Sequence, residues 1–219
     1  MMYFVHTPKC GGKSLRKSLQ LAYGEKLLLD YANPLDERWQ KKIEHRLTYL
    51  KRNVFCRKEY DIVYGHFSFD RYRTGLQKPD AKTAMFFREP IDLICSYYFY
   101  TKQKHPDSGI QDIVSFAQGE KYRHLYQTLL GHVPVERLDF VGLMERYEES
   151  FALFSRLTGK TIDIQHVNIT KSKPKNYHEY LHEQGAYAIV REAMAENIVI
   201  YERAKSRFEE LRFSDERIS

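Results

Sequence analysis

The chain has 219 residues, 42% of them hydrophobic and 29% charged, and a formal net charge of +6. That length accommodates one domain with a full core, and the composition is that of a globular protein rather than a disordered or fibrous one. The moderate basicity suits an anionic partner, but the absence of a Lys/Arg block interleaved with aromatics, of zinc-finger spacing and of an RNA-recognition motif argues against nucleic acid.

Residues 3–6 read as a first, apolar strand leading into His6-Thr7-Pro8-Lys9-Cys10-Gly11-Gly12-Lys13-Ser14-Leu15. A strand, paired glycines and a helix over 13–22 form the arrangement that cradles a phosphate. Glycines let backbone N–H groups approach the anion, and the helix N-terminus adds the positive end of its dipole. The candidate contacts are Lys9, Cys10, Gly11, Gly12, Lys13, Ser14 and Leu15. Gly12-Lys13-Ser14 also fits the second half of the ATP-binding loop G-x-x-x-x-G-K-(S/T), although Thr7 stands at its first glycine.

Residues 26–29 read as a second strand, ending at Asp30. Leu35, Trp39, Ile43, Leu47 and Leu50 recur at helical spacing and predict a helix over 34–50. Residues 61–64 form a short buried strand that runs into Gly65-His66. The next strand, 82–87, ends in Arg88, where a metal-bridged triphosphate site would place an acid. A helix follows over 90–104, with Pro90 and Asp92 suited to its first turn. Arg88 at the strand end and Ser96 two turns into the helix can approach one anion from two sides. A structural Arg–carboxylate pair is the alternative. The run 105–109 breaks the chain, and short helices are expected over 110–118 and 122–130. A last strand over 138–141 precedes a helix over 146–157, and long helices fill 177–194 and 197–211.

Strands alternating with helices predict an α/β fold: a P-loop-like parallel sheet with helices on both faces. In such sheets ligands bind at the carboxyl ends of the strands, and the glycine loop, His66 and Arg88 each follow a strand. Neither a linker nor an internal repeat divides the sequence, so 1–219 is expected to be one domain. No apolar run approaches the ~20 residues that cross a bilayer, and the first strand leaves no room for a signal peptide. Cys10, Cys56 and Cys95 are an odd set without metal-ligand spacing, as expected of free thiols in a cytoplasmic protein.

Two of these segments resemble the motifs of the sulfotransferases that use 3′-phosphoadenosine 5′-phosphosulfate (PAPS), in particular the carbohydrate type that includes the heparan sulfate 2-O-sulfotransferases. Pro8-Lys9-Cys10-Gly11-Gly12-Lys13-Ser14-Leu15 is similar to the family's 5′-phosphosulfate loop, P-K-(T/S)-G-(G/T)-(T/S)-(S/T)-L. Arg88-Glu89-Pro90 with Ser96 is similar to its 3′-phosphate motif. Gly65-His66-Phe67 resembles a G-H-x-x-(F/Y) element, and Asp139-Phe140-Val141-Gly142-Leu143-Met144-Glu145-Arg146 a strand-to-helix signature. Cys10 and Lys13 depart from the usual threonines, and Asn197 stands where the family carries Asp, which puts a local hydrogen bond in question.

The resemblance implies a soluble, bacterial-type enzyme that moves a sulfuryl group from PAPS to a hydroxyl acceptor, a glycan or glycolipid, and releases the bisphosphate PAP. No metal is required, because sulfate monoesters carry less charge than phosphate monoesters. It implies cofactor contacts at residues 9–15, Arg88 and Ser96. Lys9 is expected to stabilise the leaving bridging oxygen, or only to hold the ground state. His66 falls on the family's catalytic-histidine position and is the candidate base; a histidine bonded inside a turn is the alternative, and Asp30 the second candidate. Lys171 and Lys173, in the polar, basic loop 168–175, are candidates for closing over the cofactor or contacting an anionic acceptor; a solvated linker is the alternative. The competing reading is a P-loop kinase using ATP and Mg²⁺, resting on Gly12-Lys13-Ser14.

Overall fold

The computed structural model describes residues 1–31, 59–107, 109–164, 174 and 176–215. The helix expected over 34–50, Cys56, Lys171 and Lys173 lie outside the described residues. Five strands form: β1 (Met2–Val5), β2 (Leu27–Leu29), β3 (Ile62–Gly65), β4 (Lys82–Phe87) and β5 (Phe140–Leu143). Every residue of β1, β3 and β5 is buried, as is β4 beyond Lys82. Successive side chains of a strand point to opposite faces, so unbroken burial means that both faces of the sheet are covered, the condition of parallel sheets.

The strand order is β2-β3-β1-β4-β5 and every pairing is parallel. Val5 at the end of β1 is flanked by Gly65 on one side and Met85 on the other. From β1 the chain first lays down the edge strand β2, returns to fill the place between them with β3, and then crosses to the other side of β1 for β4 and β5. The crevice at the carboxyl ends of β1 and β4 is therefore the topological switch point, where doubly wound sheets bind ligands.

Ten helices complete the described fold: α1 (Gly12–Tyr23), α2 (Arg73–Leu76), α3 (Pro90–Lys104), α4 (Ile113–Ala117), α5 (Glu120–Arg123), α6 (Leu125–Leu130), α7 (Tyr147–Thr158), α8 (Tyr177–Glu183), α9 (Tyr187–Ala193) and α10 (Ala195–Asp215). Aromatic rings fill the space between β1, β4, β5 and α7. Phe4 stacks on Phe86 with centroids 6.1 Å apart, and meets Phe140 at 5.8 Å and Phe154 at 5.3 Å, spacings favoured by ring quadrupoles.

Two expected helices are each broken in two. The one over 177–194 divides into α8 and α9 because Gly185 takes φ 63° and the Ala186 N–H returns to the Leu181 carbonyl at 2.9 Å, a glycine stop. The one over 122–130 becomes α5 and α6 because a side chain enters the helical ladder. Asn197 of α10 donates Nδ2 to the Tyr122 and Arg123 carbonyls at 2.9 and 2.8 Å, and its Oδ1 accepts from the Tyr126 N–H at 3.0 Å. The bond from Tyr126 N–H to Tyr122 carbonyl is thus replaced by one amide. The hydrogen bonding that the Asp-to-Asn departure puts in question is fully made.

Candidate active site

The loop between β1 and α1 is pinned to β4. Thr7 Oγ1 donates to the Phe86 carbonyl at 2.6 Å, and Cys10 N–H reaches the Thr7 carbonyl at 3.3 Å. Lys9 and Gly11 adopt left-handed backbone, φ 69° and 64°. Glycine does this freely; lysine does so at a cost, and such strained residues gather at ligand sites. Gly11 is the N-cap of α1, with no side-chain cap and no acidic residue in the first turn. The helix supplies no carboxylate of its own to its positive end, which suits an anion there. The N-terminus of α3 is treated differently: Glu89 Oε2 accepts from the Asp92 N–H at 2.8 Å and closes it.

Residues 9–15 divide by side chain. The Lys9 ammonium stands 3.9 Å from the centre of the Tyr100 ring, and Tyr100 is 43% exposed. Cys10 is fully buried. Burial pushes its thiol far above the usual range, against the opposing pull of Arg88 and Lys9, and its N–H is engaged by the Thr7 carbonyl. Lys13 is exposed. Ser14 is buried and interacts with the Tyr147 phenol. Leu15 is a core residue, and its N–H continues the helix to the Gly11 carbonyl at 3.1 Å.

Arg88 crosses the switch-point crevice: its Nη1 donates to the Lys9 carbonyl at 3.2 Å. Its backbone is held by Tyr126, whose hydroxyl accepts from the Arg88 N–H at 3.0 Å and donates to the Arg88 carbonyl. Its guanidinium lies 6.0 Å from the centre of the Tyr177 ring, and Tyr177 interacts with the Ser96 hydroxyl. The structure thus gathers Lys9, Arg88 and Ser96 and adds Tyr177 and Tyr126, neither of which carries a local sequence signal. Glu145, in the turn after β5, accepts from the Glu89 N–H and the Tyr201 hydroxyl, both at 2.8 Å, and so ties α10 to the start of α3.

His66 follows β3 directly. Its Nδ1 is 2.7 Å from the His6 carbonyl. A carbonyl only accepts, so Nδ1 carries the proton and Nε2 the lone pair. Burial lowers the His66 pKa from the ordinary imidazole value, against the opposing hydrogen bond to His6, so the ring is neutral at pH 7. The His6 ring stacks under it at 4.4 Å and 21°, and Tyr31 meets it edge-on at 5.1 Å. Asp30 is committed elsewhere: its Oδ2 accepts from Arg71 Nε at 2.8 Å and from the Tyr72 hydroxyl at 2.6 Å.

A second group lies beside this site. His178 Nε2 is 3.5 Å from Glu89 Oε2 and 3.9 Å from Asp92 Oδ1, so that α8 rests on the first turn of α3.

The fold is similar to that of solved sulfotransferases. Mouse sulfotransferase SULT7A1, solved in complex with PAP, aligns with 93% of this chain and 88% of its own at a TM-score of 0.54 and 12% identity. A sulfotransferase from Alicyclobacillus acidocaldarius aligns with 90% of this chain and 94% of its own at a TM-score of 0.47 and 14% identity. No protein-family model matches the chain, and no curated protein matches it in sequence. The likeness to SULT7A1 establishes the P-loop-like α/β fold.

Proposed function

We propose that residues 1–219 form a PAPS-dependent sulfotransferase domain acting on a hydroxyl acceptor, a carbohydrate such as a glycan or glycolipid. The observation that carries this reading is the uncapped start of α1 facing a crevice that Arg88 spans to the Lys9 carbonyl. A donor set of loop N–H groups, a lysine, an arginine and a serine suits a nucleotide with phosphates at both ends. The SULT7A1 complex with PAP supports the choice of nucleotide.

The loop N–H groups of residues 11–14 and Lys9 would hold the 5′-phosphosulfate, and Arg88 and Ser96 the 3′-phosphate. PAPS supplies a sulfuryl group on a bridging phosphate oxygen. Lys9 offers a cation for the charge that develops on that oxygen. His66 Nε2 accepts the proton of the attacking hydroxyl, a role that its tautomer and neutral state fit, worth typically about 10²–10⁴-fold. Asp30, tied to Arg71 and Tyr72, fits that role less well. Metal-free transfer and a reducing, cytoplasmic setting belong to this reading, and the buried free thiols of Cys10 and Cys95 agree with the latter. The kinase alternative is less well supported, because Arg88 occupies the strand end where a metal-binding acid is needed.

The test is a thermal-shift titration with PAP alone, with adenosine 5′-phosphosulfate, and with ATP and Mg²⁺, on the wild type and Arg88→Ala. Binding to the native state raises stability by RT ln(1 + [L]/Kd). PAP is expected to stabilise most, and Arg88→Ala to weaken PAP about 10-fold or more, and more than adenosine 5′-phosphosulfate, which loses only the Arg88 bond to the Lys9 carbonyl. Stabilisation by ATP and Mg²⁺ alone would overturn the reading in favour of the kinase.

A further inference from the structure

The His6 side chain is the least economical in the core. It is 6% exposed, and neither ring nitrogen has a hydrogen-bond partner among the described residues. An unsatisfied buried polar atom costs about 1–3 kcal/mol, and a phenyl ring would fill the same space without that cost. The ring is also tightly enclosed. A Cβ on Gly12 would lie 1.7 Å from His6 Cε1, Tyr64 stacks on one side at 5.3 Å and 17°, and His66 stacks at 4.4 Å. The backbone of the same residue is occupied as well. His6 N–H donates to the Gly65 carbonyl at 2.7 Å, and the His6 carbonyl accepts from His66 Nδ1.

We infer that His6 is a positioning residue for His66: its carbonyl fixes which His66 nitrogen is left to take a proton, and its ring is the neutral aromatic plate on which the protonated His66 rests. This inference rests on the reading of His66 as the base. When Nε2 takes the acceptor proton, His66 becomes a cation. Its Nδ1–H bond to the His6 carbonyl becomes charge-assisted, and its face lies against a π system that favours a cation provided that the plate is itself uncharged. Burial, with His66 as a second cause, holds the His6 pKa well below its ordinary value, so the plate does not compete for the proton. Two adjacent imidazoles in water would share and repel charge; these two are made unequal by where they sit.

Among the described residues the other groups around His66 are Tyr31 after β2, with Arg16 of α1 beside its ring, and Tyr64 of β3 on the His6 ring. Asp30 neighbours Tyr31 in the chain but is held by Arg71 and Tyr72. Of these Tyr64 also touches His6, but its phenol is kept in both variants below, so the difference between them in His66 titration reads the plate.

The experiment compares His6→Phe, which keeps an aromatic face, with His6→Leu, which fills the space without one. The histidine ring signals are titrated by NMR on uniformly labelled protein, with His66 assigned by its loss in His66→Asn, and kcat and PAP affinity are measured alongside. His6→Phe is expected to keep the His66 midpoint and kcat near wild type. His6→Leu is expected to lower the midpoint by about half a pH unit or more and to lower kcat several-fold with PAP affinity unchanged. Equal midpoints in the two variants, or a higher one in His6→Leu, overturn the inference. Should His6→Leu fail to fold, a folded His6→Phe with a lost kcat overturns it equally. The NMR titration needs no turnover, so absence of PAPS-dependent activity in the wild type would count against the proposed function and leave the coupling of the two rings measurable.

Discussion

At residue scale the site depends on what is missing from Gly12. The first turn of α1 can sit on the end of β1 only because no Cβ projects from Gly12, where one would overlap His6 Cε1 at 1.7 Å. The imidazole cannot retreat, because Tyr64 and His66 stack against it. Gly12→Ala must therefore push either the helix N-terminus or the His66 ring out of place. Overpacking of this kind costs about 1–3 kcal/mol, and here it also disturbs the anion cradle. We expect lower stability in urea and weaker PAP binding. Because the clash is with one ring, His6→Ala in the same chain should relieve most of it. The two substitutions are expected to couple by about 1 kcal/mol or more in a double-mutant cycle; additive costs would show that the His6 ring is not what Gly12 accommodates.

At the scale of elements, the decisive contact is the entry of Asn197 into the helix that becomes α5 and α6. Its amide presents two hydrogens to two carbonyls and its oxygen to one N–H, a set that only an amide satisfies. The consequence reaches the site, since Tyr126, whose N–H it takes, holds both polar groups of the Arg88 backbone. Asn197→Asp, nearly isosteric, would bury a carboxylate against two carbonyl oxygens. Leaving a buried charge facing acceptors costs about 3–5 kcal/mol. The expected result is a lower midpoint in urea with an unchanged slope, and PAP affinity reduced beyond what Asn197→Ala causes. Wild-type stability in the Asp variant at pH 7 would mean that the helix break has another origin.

At the scale of the whole molecule, what could be read from the sequence was whatever is local. The glycine loop, β4 with Arg88, and α3 with Pro90 and Asp92 follow from runs and spacings within a dozen residues, and the sheet follows from their alternation. Contacts between distant parts of the chain have no such signature: Tyr177 beside Ser96, Asn197 inside the helical ladder, and the face of His6 against His66. His6 was in plain view next to the loop, yet only the register of Val5 with Gly65 puts it under His66. That pair also gives the fold a pH dependence. Burial lowers the pKa of both His6 and His66, while in the unfolded chain each titrates near 6.5. Below that value the unfolded state binds protons that the folded state refuses, so stability falls as pH drops through about 6.5 and continues to fall until the folded rings protonate. Each histidine contributes at most about 1.4 kcal/mol per pH unit in that window. Urea unfolding between pH 7.5 and 5.5 should show the loss, and His6→Phe, which removes one of the two groups without opening a cavity, should make the profile shallower. An unchanged slope in that variant would mean that His6 takes up its proton in the folded state as readily as in the unfolded chain, so that it competes with His66 for it, and the neutral plate under His66 would be ruled out.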